Sequence, residues 1–183
     1  MKTILPLGYS ECKPDAPVFF LAGPVQGASD WHTVFCKEIQ KQMGTQDFYV
    51  AIPKRYRKDP DGFVKQNQDK PTAFWDTQNA WERHYMEIAS KSGCLIFWLP
   101  VEDEGCPRDD GCPYAMTTRG EIGEWRGRYM HDRSIKIVVG ADNRFKGLRT
   151  IHENFLAIDY NFPIYESIKE TIAAAILSIQ KVN

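Results

Sequence analysis

An uninterrupted run of six apolar residues, Cys94–Leu99, constrains the fold more than any other stretch of this sequence. A short apolar run that is bounded by turn signals predicts a strand buried on both faces. Strands of this kind belong to parallel sheets that are covered by helices on both sides. We therefore expect an α/β protein.

The rest of the chain alternates between strand and helix patterns. Strands are predicted at residues 18–22, 48–52, 94–99 and 135–139, with a short fifth at 155–158. Helices are predicted at residues 31–43, with Asp30 as N-cap, and at 74–90, 118–130 and 164–180. This alternation predicts a parallel sheet of about five strands with helices on both faces. Residues 1–183 contain no repeat or linker and are expected to form a single domain.

The composition of the chain argues against several classes of partner. The chain is 43% hydrophobic with a net charge of −1, so it is expected to be ordered and gives no electrostatic case for binding nucleic acid. No apolar run approaches the roughly 18 residues that span a bilayer, so no membrane partner is expected. Five cysteines, with Cys36 and Cys94 in expected core segments, favour a reducing cytoplasm. Cys106 and Cys112 lack further soft ligands at zinc spacing, and we expect neither a metal nor a cofactor.

Glu121 is the first candidate for chemistry. It follows the 94–99 strand and a long loop, in the expected first turn of the next helix. In parallel sheets, ligands bind outside the carboxyl ends of the strands, where loops lead into helices. The helix dipole would favour the ionised carboxylate there, which makes Glu121 a candidate nucleophile or base. A solvated first-turn glutamate is the alternative.

Glu82 is the second candidate. At helical spacing it shares a face with Tyr85, Met86 and Ala89. A carboxylate on an apolar face must be desolvated, paired or functional, and desolvation would raise its pKa and suit it to donate a proton. The alternative puts Glu82 at the edge of the stripe, facing solvent or a basic side chain. Two carboxylates in different environments are typical of glycosyl transfer, and the same chemistry applies to an N-glycosidic bond.

Four short motifs occur in order along this pattern. They are Phe-Phe-Leu-Ala-Gly-Pro at residues 19–24, Gln-Asn-Ala-Trp-Glu at 78–82, the 95–98 strand and Arg-Gly-Glu-Ile-Gly at 119–123. Together they resemble the nucleoside 2-deoxyribosyltransferase family, in its Gln-x-x-Trp-Glu branch, over residues 17–160. Each motif alone is short, and it is their order and spacing that carry the resemblance.

The resemblance implies a flavodoxin-like, that is Rossmann-like, sheet with Glu121 as nucleophile and Glu82 as the acid that positions or protonates the base. It implies a cytoplasmic enzyme that cleaves the N-glycosidic bond of 2′-deoxynucleosides and transfers the sugar to another free nucleobase. The alternatives are a hydrolase of nucleoside 5′-monophosphates and a nucleoside- or nucleotide-binding module without turnover.

Further substrate-binding residues come with the resemblance. Gly23, Pro24 and Gly27 would face the sugar or its 5′ end, and the turn could also hold a phosphate at the helix N-terminus. The remaining candidates are Gln78, in the helix motif, and Thr118, which could instead cap the helix.

The family also implies a homo-oligomer with active sites near subunit interfaces. Asn154 would reach the 5′-hydroxyl in a neighbouring subunit, although a surface asparagine is the alternative. The sequence departs from the family pattern at Ser92-Gly93, at Tyr85, where an acid is usual, and at Ala115, where relatives carry an acid or a serine.

Overall fold

The chain alternates strands and helices, as predicted. The computed structural model describes residues 1–54, 77–106, 108 and 111–180. Within these ranges there are six strands and five helices. In chain order they are β1 (Lys2–Ile4), β2 (Val18–Ala22), α1 (Trp31–Met43), β3 (Tyr49–Ala51), α2 (Gln78–Ser92), β4 (Cys94–Leu99), α3 (Met116–His131), β5 (Ile137–Ala141), α4 (Leu148–Leu156), β6 (Ile164–Tyr165) and α5 (Ile168–Gln180).

The six strands form one sheet in the order β1-β3-β2-β4-β5-β6, and every neighbouring pair is parallel. Without β1 this is the 2-1-3-4-5 order of flavodoxin-like folds. The predicted fold class is therefore confirmed, with one strand more than expected. Two of the six strands, β1 and β6, are not among those predicted, and one predicted strand does not form. Strand β1 is a three-residue edge strand paired with β3, and its pattern is too short to predict from sequence.

Different helices cover the two faces of the sheet and pack against its apolar side chains. Helices α2, α3 and α4 pack on one face and α1 and α5 on the other. Strand β4 serves both faces: Leu95 and Phe97 point to the first, while Ile96 and Trp98 point to the second. This is why its sequence is apolar at every position rather than at alternate positions.

Three predicted elements, β2, α1 and β4, have the expected bounds. Asp30 caps α1 as predicted, because its side chain accepts hydrogen bonds from the backbone N–H and the hydroxyl of Thr33. Helix α2 begins at Gln78, where Thr77 Oγ1 accepts from the Ala80 N–H at 3.2 Å. The helix predicted at residues 74–90 corresponds to α2, and its first three predicted residues, 74–76, lie outside the described residues. Strand β3 is shorter by one residue at each end than predicted.

The strand predicted at residues 155–158 is wrong, because this segment lies at the end of helix α4. Ile151 and Phe155, four residues apart, bury the apolar face of that helix. Periodicity alone does not separate a four-residue apolar run from part of a buried helix. Gly147, whose φ is +82°, precedes the helix as its N-cap.

The last strand and helix also differ from the prediction. Ile164 and Tyr165 form β6 instead of opening the terminal helix, which begins at Ile168. Ser167 Oγ accepts from the Glu170 N–H at 3.2 Å and donates to Glu170 Oε2 at 2.8 Å. A serine three residues before a glutamate is a helix-start signal that could have located this boundary.

Gly140 lies within β5 rather than closing it, so the strand predicted at 135–139 runs over Ile137–Ala141 instead. A Cβ at Gly140 would lie 2.0 Å from Thr171 Oγ1 and 2.8 Å from the Trp98 ring. The glycine therefore lets α5 and Trp98 approach the strand closely and does not mark a turn.

Candidate active site

A cleft of about 320 Å³ opens at the carboxyl edge of the sheet, beside the neighbouring strands β2 and β4. The helix that follows β2 packs on one face and the helix that follows β4 packs on the other, so this is the topological switch point, where ligands bind in open α/β sheets. We call it the main cleft. Six of the eight predicted site residues line it: Gly23, Pro24, Gln78, Glu82, Thr118 and Glu121.

Glu121 reaches the main cleft from the second turn of α3. The helix begins at Met116, so the expectation of a first-turn position is wrong. The side chain is only partly exposed, and burial, with the charges of Glu82 and Glu124, raises its pKa to about 8. Arg83 opposes this rise. The expectation that the helix dipole keeps Glu121 ionised is therefore also wrong, because desolvation outweighs it.

Glu82 faces the same cleft from α2 and is half-buried. Tyr85, Met86 and Ala89 are buried on the same helix, as the stripe predicts, and Glu82 lies at its boundary with the cleft. Gln78, one turn earlier, donates from Nε2 to Glu82 Oε1 at 2.7 Å. The same nitrogen donates to the carbonyl of Pro53, just after β3, at 2.8 Å.

A second space of about 420 Å³ lies between α2 and α3, and we call it the side compartment. It shares Asn79, Glu82, Thr117 and Glu121 with the main cleft, so the two carboxylates stand where the spaces meet.

An ion-pair network holds the far wall of the side compartment. Glu124 accepts from Arg83 Nη1 at 3.1 Å and from Arg128 Nη2 at 2.8 Å. Arg128 also pairs with Glu87, so the network ties α3 to α2 at two points. It thereby fixes the spacing of the two helices that carry Glu82 and Glu121.

The turn after β2 forms another wall. Gly23 has no room for a side chain, because a Cβ would lie 2.3 Å from the carbonyl oxygen of Trp98. The carbonyl of Pro24 accepts a hydrogen bond from Trp31 Nε1 at 2.9 Å, which fixes the turn against α1. Close packing within the protein therefore accounts for this glycine without a ligand.

Gly27 does not line the main cleft among the described residues. It adopts a left-handed conformation, with φ of +71°, and a Cβ there would lie 2.6 Å from Cδ of Arg108. Arg108 itself lines the cleft and is held by Glu102, at 2.9 Å, and by the carbonyl of Cys112, at 2.7 Å. Sequence reasoning missed this arginine, although it is the only Lys or Arg between residues 100 and 115, because nothing in the sequence of the loop indicates that it folds back onto the cleft.

Thr118 is buried, at 4% exposure, and lines the main cleft. It does not cap α3, since the N-cap is Ala115, which makes no side-chain hydrogen bond. Ala115 has φ of +58°, an uncommon conformation for a residue with a Cβ. Ala115, one of the positions at which the sequence differs from the family that it resembles, therefore lines the cleft.

The departure at Ser92-Gly93 lies elsewhere, at the start of β4 and so at the edge of the sheet opposite the cleft. A Cβ at Gly93 would lie 1.9 Å from the Val18 carbonyl oxygen. Packing between α2 and β2 thus explains the glycine.

Asn154 is exposed on α4 and does not line the cleft of its own chain. Its neighbour Glu153 pairs with Arg149 at 2.7 Å on the same helix. The structure therefore does not bring Asn154 together with the other predicted site residues.

Comparison of the sequence with protein-family models and with curated proteins gives no match. None of the helices in the described ranges combines the length and the apolar composition needed to cross a membrane.

Proposed function

We propose that this protein is an N-deoxyribosyltransferase, which cleaves the N-glycosidic bond of 2′-deoxynucleosides and transfers the sugar to another nucleobase. One observation carries the proposal: Glu82 and Glu121 reach one cleft from two helices at the switch point of a parallel sheet, where burial and the charge of Glu82 raise the pKa of Glu121 to about 8. The resemblance to nucleoside 2-deoxyribosyltransferases supports the assignment of Glu121 as nucleophile.

The proposed chemistry uses one proton and one carboxylate. Glu121 attacks C1′ and forms a covalent deoxyribosyl ester while the C1′–N bond breaks, so the electron pair of that bond leaves with the base. The base nitrogen takes up the proton that the two carboxylates share. A second base then attacks C1′ and returns Glu121 to the enzyme, whereas attack by water would give hydrolysis.

The dimensions of the site support a nucleoside-sized ligand. Ligand sites span about 300–1,000 Å³, and both the main cleft and the side compartment fall within this range. The polar side chains of Asn79 and Arg83, next to Glu82, offer hydrogen bonds to the edge of a base. Glu121 lies where a sugar in one space would meet a base in the other.

A base-exchange assay tests this function. Purified protein is incubated with deoxyinosine or thymidine and a different free base, and products are separated by chromatography. We expect a new deoxynucleoside from the wild type and none from Glu121→Ala. Free deoxyribose without exchange would identify a hydrolase. Unchanged affinity for nucleosides in both proteins, with no turnover in either, would identify a binding module.

A nucleoside 5′-monophosphate is the second candidate substrate, and Arg108 favours it. This cation lines the main cleft next to the Gly27 turn, where a 5′-phosphate would gain a charge-assisted hydrogen bond. If so, Arg108→Gln should raise KM for a deoxynucleoside 5′-monophosphate at least tenfold and leave KM for the nucleoside unchanged. Equal effects on both substrates would exclude a phosphate contact.

Cellular location and assembly are part of the same proposal. All five cysteines are free, which supports a reducing compartment such as the cytoplasm. We further propose a homo-oligomer in which the exposed Asn154 reaches a neighbouring active site. Sedimentation of the wild type, together with KM measured for Asn154→Ala, tests both statements.

A further inference from the structure

The side-chain amide of Gln78 makes hydrogen bonds to other groups of the protein. Its nitrogen donates to Glu82 Oε1 at 2.7 Å and to the Pro53 carbonyl at 2.8 Å. An amide nitrogen carries two hydrogens, and two acceptors face it, so both hydrogens are used and the orientation of the amide is fixed. This geometry gives Gln78 a different role from the substrate contact that the sequence predicts.

The amide connects the edge of the sheet to the candidate acid. Pro53 follows β3, Gln78 begins α2, and Glu82 lies one turn further along the helix. A glutamate side chain that is free to rotate loses substantial entropy when it is held in one geometry. With Gln78 in place, Glu82 Oε1 is already held.

We propose that Gln78 is a positioning residue that fixes the Glu82 carboxylate beside Glu121 and so keeps the shared proton of the pair on Glu121 between turnovers. This inference rests on the proposed function. The physical reason is that an N–H donated to a carboxylate stabilises its charged form, so the proton resides on the partner acid. The other charged groups that face Glu121 are Arg83 of α2 and Glu124 of α3, and Arg108 lines the same cleft.

The proton then follows a closed path. As substrate binds, it moves from Glu121 to Glu82, and Glu121 becomes the nucleophile. The new Glu121–C1′ bond forms, the C1′–N electron pair leaves with the base, and the base nitrogen takes the proton from Glu82. Attack by the second base reverses each step, so one proton and one sugar are transferred and nothing is oxidised or reduced.

The chain contains a matched control for this contact. On α1, Gln42 Nε2 donates to Glu38 Oε1 at 2.9 Å, also across four residues, and to the Lys169 carbonyl at 3.3 Å. The donors and acceptors are of the same type, but Gln42 and Glu38 do not line the cleft. Gln42→Met therefore reproduces the structural cost of losing such a contact.

The experiment compares Gln78→Met with Gln42→Met. We expect Gln78→Met to lower kcat for base exchange about 10- to 100-fold, with KM within about twofold, because misplaced catalytic groups cost rates of this order. Gln42→Met should leave both constants unchanged. If Gln78→Met does not fold, Gln78→Asn, whose shorter amide cannot reach both acceptors, takes its place. A raised KM with unchanged kcat would instead make Gln78 a substrate contact and overturn the proposal.

A second readout needs no substrate. Carbon-13 NMR of labelled glutamate carboxyls, assigned with Glu121→Gln, follows the titration of Glu121. In Gln78→Met the midpoint should fall by about one pH unit, because Glu82 can then share the proton. An unchanged midpoint overturns the positioning role. If the wild type turns over no nucleoside or nucleotide while the midpoint still falls, the proposed function fails and the positioning of the pair stands.

Discussion

Glu82 and Glu121 line one cleft from adjacent helices, and their environment raises the pKa of Glu121 to about 8. Burial is the largest cause and the charge of Glu82 the next. We therefore expect Glu121 to carry a proton at neutral pH in the ligand-free protein. The pH dependence that we predict for base exchange and for stability follows from this expectation.

The first prediction concerns the pH dependence of base exchange. If the proton on Glu121 is the one that the leaving base receives, kcat/KM should be level near neutral pH and fall about tenfold per pH unit above about 8. Initial rates between pH 6 and 10 at low substrate concentration measure this. A kcat/KM that rises through pH 8 would show that the active form has lost this proton.

The second prediction uses the two charged neighbours of Glu121. Glu124 raises its pKa and Arg83 lowers it. Glu124→Gln should therefore move the alkaline limb of kcat/KM to lower pH, and Arg83→Met should move it to higher pH. The two variants remove opposite ends of one ion pair, so a shared structural effect would move both limbs in the same direction. Shifts of the same sign would refute the electrostatic account.

The third prediction is that the burial of Glu121 makes the folded protein less stable as the pH rises. The folded-state pKa of Glu121 lies above its ordinary value of 4.5, so the wild type loses stability as the pH rises from about 4.5 to about 8. Glu121→Gln should be more stable than the wild type by about 4 kcal/mol at pH 8, and equal to it at pH 4. Urea unfolding at both pH values measures this, with the exposed Glu104→Gln as control. A pH-independent difference would contradict the burial argument.

The fourth prediction concerns His32, which is 1% exposed and stacks on Trp31 with ring centroids 3.6 Å apart. Its Nε2 has no hydrogen-bond partner among the described residues, and burial lowers the pKa to about 3. The unfolded chain therefore binds the proton first, and stability falls as the pH drops below about 6.5. At pH 5 the loss should be about 2 kcal/mol.

His32→Phe should remove this acid-sensitive loss, since it keeps an aromatic ring against Trp31 and cannot titrate. Unfolding free energies at pH 7 and pH 5 give the comparison. The control is His84→Phe, because His84 is an exposed histidine that also contacts an aromatic ring, that of Tyr9. If the unfolding free energy falls by the same amount between pH 7 and pH 5 in His32→Phe and in the wild type, other groups cause the acid sensitivity.

The fifth prediction tests the packing of the sheet. Gly140→Ala should destabilise the protein by about 2–3 kcal/mol, because its Cβ would overlap Thr171 and Trp98. Gly123→Ala, on a helix with open space around it, should instead stabilise by about 0.5–1 kcal/mol. Thermal unfolding of the two variants measures both effects. A destabilising Gly123→Ala would show that a methyl group does not fit at that position.

Several parts of the fold were predictable because local sequence decides them. Strand β4 is apolar at every position since both of its faces are covered, and α1 begins at a capping aspartate. Residues 155–158 were assigned wrongly because a short apolar run fits either a strand or the last turn of a helix. The strand predicted at residues 135–139 in fact continues through Gly140, because the constraint on this glycine comes from Thr171 in a distant helix.

Most of the members of the site were predictable, but Gly27, Asn154 and Arg108 were not placed correctly, and the electrostatics were not predictable. Glu121 could be placed at the cleft because ligands bind where the loops after parallel strands meet, and the family resemblance paired it with Glu82. The pKa of Glu121 depends on how closely α2 packs against α3, which no local pattern encodes. Arg108 was missed for the same reason, because its partners Glu102 and Cys112 are fixed only by the folded loop.

The most direct test is to find the sugar on Glu121. The protein is mixed with a 2′-deoxynucleoside in the absence of acceptor base, quenched in acid and digested with trypsin, and the peptides are examined by tandem mass spectrometry. Cleavage after Arg119 and Arg126 gives a peptide of residues 120–126 that holds Glu121 and Glu124, which its fragment ions distinguish, while Glu82 lies in the peptide that ends at Arg83. The account predicts a deoxyribosyl adduct on Glu121 that is absent from Glu121→Gln. An adduct on Glu82, or base exchange that proceeds undiminished in Glu121→Gln, would contradict it.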